Sequence, residues 1–187
     1  MLMLNNTVLA NDVYIEQSGD ASTVEILQDG TGNTMGDDVD ALYIGGGANI
    51  VNLQQIGDSN ELSATVNGAG TNTTVTTNGS NNIQSIMCGS TSSSTCSGSE
   101  ITQIVTGDSN TVTQNLGGGA NHKSIIAVTG DTNAVSHVST SSAETTAHIN
   151  VTGNLNVVDV TQQGMTAQNV TLTSTGTGNN ITILQHD

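Results

Sequence analysis

The chain has 187 residues, with 16 acidic side chains against a single lysine (net charge −15), 22 glycines, two tyrosines and no proline, phenylalanine or tryptophan. Without a basic face it is excluded from binding nucleic acid through phosphates, and no apolar run is long enough to span a membrane as a helix. So few aromatics leave only a narrow interior, filled by Val, Ile, Leu, Ala and stacked polar side chains, and low hydrophobicity with high charge would signal disorder were the apolar residues not in register.

Met1 to Asp12, MLMLNNTVLAND, stands outside that register. Its Leu9-Ala10-Asn11 end resembles a signal-peptidase site, yet ten residues without a basic n-region are short for a secretory signal. Two readings stand: the remnant of a mis-started signal, or an apolar arm. As an arm, its Met1, Leu2, Met3, Leu4, Val8 and Leu9 would dock on a neighbouring subunit as an added strand.

From Val13 onward one spacing dominates. Gly46, Gly57, Gly68 and Gly79 follow one another at 11 residues, and Gly19, Gly30, Gly107, Gly118, Gly130, Gly153, Gly164 and Gly176 belong to the same register. Four residues before these twelve glycines the side chain is apolar in ten cases, six before in nine, and the position between is mostly polar. Period-2 alternation is a strand with one buried face, and glycine followed by asparagine is corner chemistry. Nine units carry asparagine three after the glycine: Asn33, Asn49, Asn60, Asn82, Asn110, Asn121, Asn133, Asn156 and Asn179. That repetition predicts an asparagine ladder at the corners. Gln17, Gln28, Gln55 and Gln162 stand two before a glycine on the inward phase, where stacked copies can bond one another.

Three longer gaps complete the count. The 16 residues from Gly30 to Gly46 hold a polar insert around Gly36-Asp37-Asp38, the 28 from Gly79 to Gly107 hold two units and the loop Cys88 to Cys96, and the 23 from Gly130 to Gly153 hide a glycine-free corner near Ser139 to Ala143. About 14 turns and 15 strands follow, arranged as an all-β solenoid of roughly seven two-strand coils, each a repeat of 22 to 24 residues. At about 4.8 Å per layer the stack stands about 34 Å tall. Cys88 and Cys96 suit either a disulfide closing their Ser/Thr-rich loop or a free pair; no histidine or second cysteine pair lies near in sequence to make a zinc site.

A strand, Gln-x-Gly-x-x-Asn, then a second strand, as in Gln28-Asp-Gly30-Thr-Gly-Asn33 and Gln55-Ile-Gly57-Asp-Ser-Asn60, resembles the curlin repeat of bacterial curli fibres; Gln17-Ser-Gly19, Gln162-Gln-Gly164 and the arcs Ile44 to Asn49 and Leu116 to Asn121 extend the likeness over about residues 13 to 187. Eight of the twelve units lack the inward glutamine, and the cysteine loop is an addition. The resemblance implies an extracellular, self-assembling structural subunit of a biofilm fibre, a homopolymer served by a nucleator subunit or an export machinery.

The remaining polar residues point to no chemistry. Asp20, Asp58, Asp108 and Asp131 at Gly-Asp corners, with Asp37 and Asp38, are oxygen ligands that Ca²⁺ would accept or turn residues that keep the surface charged; the nine-residue calcium-roll motif is absent. His122, His137, His148 and His186 are scattered and nothing forms a catalytic constellation, so no enzyme and no cofactor are expected. Asn-x-Thr sequons at Asn5, Asn72, Asn150, Asn169 and Asn180 are no more than so Asn/Thr-rich a chain produces by chance. The strand pattern continues through Ile181, Ile183 and Gln185, so the expectation is head-to-tail stacking into an open filament. An adhesin or phage-fibre β-helix is the alternative, and an ice-binding solenoid a further one, its threonine rows broken by Glu25, Asn52, Ile125 and His148.

Overall fold

The computed structural model describes residues 11–16, 19, 22–36, 42–89, 96–117 and 119–187. Among them the chain forms fifteen strands and no helix. Eight strands stack as one sheet: β1 (Asp12–Val13), β3 (Thr34–Met35), β5 (Glu61–Val66), β7 (Ile83–Cys88), β9 (Thr111–Leu116), β11 (Ala134–Ser139), β13 (Val157–Gln163) and β15 (Asn180–His186). Seven stack as the other: β2 (Thr23–Asp29), β4 (Ile50–Ile56), β6 (Asn72–Asn78), β8 (Glu100–Thr106), β10 (Lys123–Thr129), β12 (Thr145–Thr152) and β14 (Gln168–Thr175). Successive strands alternate between the sheets and all pairing is parallel, so the chain winds a two-sheet solenoid of about seven turns.

One turn is 22 residues between Glu61 and Ile83, and 23 between Thr111 and Ala134, Ala134 and Val157, or Val157 and Asn180. Longer turns carry the insertions: 27 residues from Thr34 to Glu61 and 28 from Ile83 to Thr111. The first insertion interrupts a strand, not a corner. β3 stops at Met35, and the strand line resumes where the amides of Leu42 and Ile44 donate to the carbonyls of Tyr14 and Glu16. The second is closed by a disulfide between Cys88 and Cys96, both fully buried.

The alternating pattern fixes what each strand buries. In β5, Leu62, Ala64 and Val66 point inward while Glu61, Ser63 and Thr65 face out, and burial of each large aliphatic side chain contributes about 1.5–3 kcal/mol. Apolar packing falls into two clusters, one from Met35 to Leu116 and one from Val105 to Val170. Where they meet, the interior is polar: Gln103, Gln114, Ser124 and His137 are all 0% exposed.

The two corners differ. At the corner that leads from the seven-stranded to the eight-stranded sheet, five residues always separate the last inward side chain from the corner asparagine, as from Gln55 to Asn60 or Val105 to Asn110. A Cβ on Gly57 would stand 2.0 Å from the carbonyl oxygen of Gly79 one coil on; the same obstruction recurs from Gly30 to Gly153. Glycine is therefore required by close approach as well as by backbone conformation. The residue before each asparagine is left-handed, and at Ser59, Asn81, Ser109, Thr132 and Leu155 it is not glycine (φ 57–59°).

At the opposite corner the separation is five residues from Val66 to Thr71 but six from Leu116 to His122, Ser139 to Thr145 and Gln162 to Gln168. All the extra length is taken up here or within β3. Two substitutions test these corners by urea midpoint at constant m. Gly130→Ala, whose Cβ would meet the Gly153 oxygen at 2.2 Å with φ at +118°, should cost more than about 3 kcal/mol. Leu155→Asn, at an exposed left-handed position, should stabilise the fold by about 1 kcal/mol.

Candidate assembly site: corner ladders and open edges

Seven of the nine expected asparagines form one column along the strict corner: Asn33, Asn60, Asn82, Asn110, Asn133, Asn156 and Asn179. Each of the first six accepts, through Oδ1, the backbone N–H of the next, at 3.0 Å from Asn60 to Asn33 and 2.9 Å from Asn110 to Asn82. From Asn60 to Asn156 the Nδ2 also donates to the preceding Oδ1. Its second proton goes to the glycine carbonyl one coil on, as from Asn60 to Gly79 at 2.8 Å. An eighth member is Asn11, whose Oδ1 accepts the Asn33 amide at 3.0 Å. Among the described residues the column therefore reaches back to Asn11, a rung hidden in the sequence by its signal-like surroundings.

Asn49 and Asn121 are not in this column. Asn49 lies at the other corner, where its Oδ1 takes the Thr71 amide at 2.9 Å. Asn121 is exposed and left-handed (φ 57°), because the corner from Leu116 is one residue longer and brings His122 into the column instead. There the acceptor varies: Ser99 Oγ takes the His122 amide at 3.0 Å and His122 Nδ1 the Thr145 amide at 3.2 Å, while the Ser99 and Gln168 amides turn to the backbone carbonyls of Cys96 and Glu144.

A second ladder runs outside the strict corner in the opposite sense. The amides of Thr31, Ser80, Asp108 and Asp131 donate to Asp58, Asp108, Asp131 and Asn154 of the following coil at 2.7–2.9 Å. Hydrogen bonds from Thr31, its amide first and its hydroxyl second, hold the Asp58 carboxyl below its ordinary range. Asp58, Asp108 and Asp131 are thus engaged with backbone as corner acceptors. Among the described residues no group of three or more His, Cys, Asp or Glu side chains is placed to hold a metal ion, and no helix is long and apolar enough to cross a membrane. Met1, Leu2, Met3, Leu4, Val8, Leu9, Gln17 and Asp20 lie outside the described residues.

The other inward glutamines pair toward the two ends. Gln28 Nε2 donates to Gln55 Oε1 at 3.0 Å, and Gln162 Nε2 to Gln185 Oε1 at 3.0 Å, so Gln185, which continues the strand pattern in the sequence, joins the inward glutamines. Gln162 also meets His137, whose other ring nitrogen contacts Ser124 Oγ at 2.8 Å. On the outer face of the seven-stranded sheet, Glu25, Asn52, Thr74, Thr102, Ile125, His148 and Thr171 share one column, so no flat threonine array forms there.

At each end of the described stack the interior is partly open. Val24 and Ile26 of β2, and Leu172, Ile181 and Ile183 of β14 and β15, are only half-buried against the clusters behind them. Asn179 has turned its Nδ2 back to Ser174 Oγ and the Thr175 carbonyl, both 3.2 Å away, where every rung from Asn33 to Asn156 reaches forward to a glycine. No protein-family model, curated protein or solved structure matches this chain.

Two predictions follow from the ladders and the buried histidine. Asn133→Ala removes the acceptor of the Asn156 amide and the donor to Gly153, and should cost at least about 3 kcal/mol by denaturant titration; Asn121→Gly should change stability by less than about 0.5 kcal/mol. Burial pushes the His137 pKa from 6.5 down to about 4, against the opposing hydrogen bond it donates to Gln162 Oε1. The unfolded chain then binds the extra proton first, so stability is full above pH 6.5 and falls as the pH drops toward 4, by about 3 kcal/mol in all. His137→Gln should remove most of that acid-side slope.

Proposed function

We propose that this chain is the structural subunit of an extracellular filament, a cell-surface or biofilm-matrix fibre that grows by end-to-end stacking of solenoids. One observation carries the reading: every coil rests on the next through the same parallel register, corner glycine contact and asparagine bond. A contact between copies would therefore repeat the contact already made inside each. Such a contact is heterologous and leaves a fresh edge after every addition, so it propagates.

Three further features support it. The half-buried aliphatic side chains at both edges would gain apolar cover on stacking. The Cys88–Cys96 disulfide suits an oxidising exterior. The repeat itself resembles curlin. Starting a filament is harder than extending one, because two free copies offer a single junction, and this leaves a role for a separate nucleator or an export machinery.

Negative-stain electron microscopy of the purified chain over a concentration series, with and without Ca²⁺, tests the proposal. Long unbranched filaments one solenoid wide are expected, insensitive to Ca²⁺ because the corner aspartates already hold backbone amides. Discrete particles or short trimeric rods at every concentration would replace the filament with an adhesin or phage-fibre module.

A further inference from the structure

The net charge of −15 is spread unevenly over the outside of the solenoid. Asp58, Asp108, Asp131 and Glu144 lie at corners, and the outer face of the eight-stranded sheet carries Glu61 and Asp159 with no lysine or arginine to answer them. The outer face of the seven-stranded sheet is different. Its six strands from β4 to β14 present four outward side chains each, 24 positions in register. Ten of these are threonine. Glu100 of β8 and Lys123 of β10 are the only acid and the only lysine among them, neighbours in one column joined by a 2.7 Å ion pair. The chain's single lysine thus cancels the one acid on this face. Aliphatic side chains stand uncovered beside the pair: Ile50 is 55% and Ile104 41% exposed.

The ion pair also lies at the midpoint of the six strands, between β8 and β10. A two-fold axis along the strand direction at that midpoint turns a second copy over onto the face. It sets β8 against β10, β6 against β12 and β4 against β14, and each column of side chains faces itself. Glu100 then faces Lys123 of the second copy, Lys123 faces its Glu100, and the four charges alternate around a square. Ile104 meets Ala127 and Thr106 meets Thr129. β2, with Glu25 and Asp29 on its outer side, falls outside the overlap. At about 3.3 Å per residue and about 4.8 Å per strand the overlap measures about 23 by about 29 Å. Counting both copies it buries about 1,300 Å², against about 1,200–2,000 Å² for stable specific interfaces.

We propose that this face is an interface between two copies of the chain, which pair in opposite directions through their seven-stranded sheets with Glu100 and Lys123 at the centre. A second copy is the occupant because it alone brings the complement of the pattern, the same residues in reverse order, as an isologous contact requires. Acidic corners of two copies repel each other. Across this face each carboxylate instead gains a second ammonium group, while threonine and isoleucine side chains on both sheets leave water. The pairing uses the side of the solenoid and not its edges, so it is independent of end-to-end stacking. Filaments, where they form, lie in pairs, each one solenoid wide and running opposite ways.

Two charge variants of the full chain, followed by sedimentation equilibrium and electron microscopy, test the contact. Lys123→Glu places four carboxylates at the centre of a self-pair and Glu100→Lys places four ammonium groups there, so each variant alone should dissociate at least tenfold more readily than the wild-type dimer. An equal mixture of the two should restore the dimer, because carboxylates of one then face ammonium groups of the other. Both variants remain strongly acidic overall, so general attraction between them does not produce that result. Thr113→Glu, on the outer face of the eight-stranded sheet, should leave the dimer unchanged, and all three variants should keep the wild-type circular dichroism. A mixture no more associated than its components, or a dimer broken by Thr113→Glu, would overturn the pairing. So would a wild-type chain that is monomeric at every dilute concentration and forms only single filaments, which leaves the filament standing. Wild-type dimers that never lengthen would overturn the filament and leave the pairing.

Discussion

The carbonyl oxygen of each corner glycine is the point on which the solenoid depends. It projects into the space a side chain would occupy on the glycine one coil before, and it accepts the side-chain N–H of that coil's asparagine. Glycine makes room for the oxygen, and asparagine satisfies it. The other half of the asparagine amide meanwhile captures the backbone N–H of the next rung. Turns in a parallel stack would otherwise leave polar backbone groups unpaired and partly buried, each a cost of about 1–3 kcal/mol. Here the corner is bonded as continuously as the sheets it joins.

That strictness on one side permits latitude on the other. The opposite corner accepts extra length, the cysteine loop and a mixed column of Asn49, Thr71, Ser99, His122 and Thr145, because the next amide is held by a side chain at Asn49, Ser99 and His122 and by a backbone carbonyl, of Cys96 or Glu144, at the other steps. The interior shows a similar division. Two aliphatic clusters are joined by a band of Gln103, Gln114, Ser124 and His137, in which the glutamine Nε2 groups donate to backbone carbonyls and Ser124 meets His137, while Oε1 of Gln103 and of Gln114 is buried without a partner. Solenoids distribute stability over nearest-neighbour contacts, so this band is where the two halves are coupled least by apolar contact.

Much of this was legible in the sequence, for physical reasons. The strands show because inward residues recur at period 2, and the ladder shows because the strict corner never changes length. Asn121 misleads because one added residue before β10 shifts the column to His122, and a single inserted residue leaves no signature in composition. The outer ladder of Asp58, Asp108, Asp131 and Asn154 was legible only as turn chemistry, since Ser80 and Thr31 share its column and no one residue type marks it. Asn11 was obscured by its neighbours, and the neutral face of the seven-stranded sheet emerges only when strands are assigned to layers.

Native-state hydrogen exchange, resolved residue by residue on the dilute chain, tests most directly the claim that the glycine–asparagine corner holds the stack together. The account predicts that the backbone amides of Asn60, Asn82, Asn110, Asn133 and Asn156, all engaged with the preceding Oδ1, exchange only through global unfolding, with the slowest rates in the molecule. Exchange of these amides at the rate of an exposed corner residue such as Thr177 would contradict it, and would move the source of stability from the corners to the sheets alone.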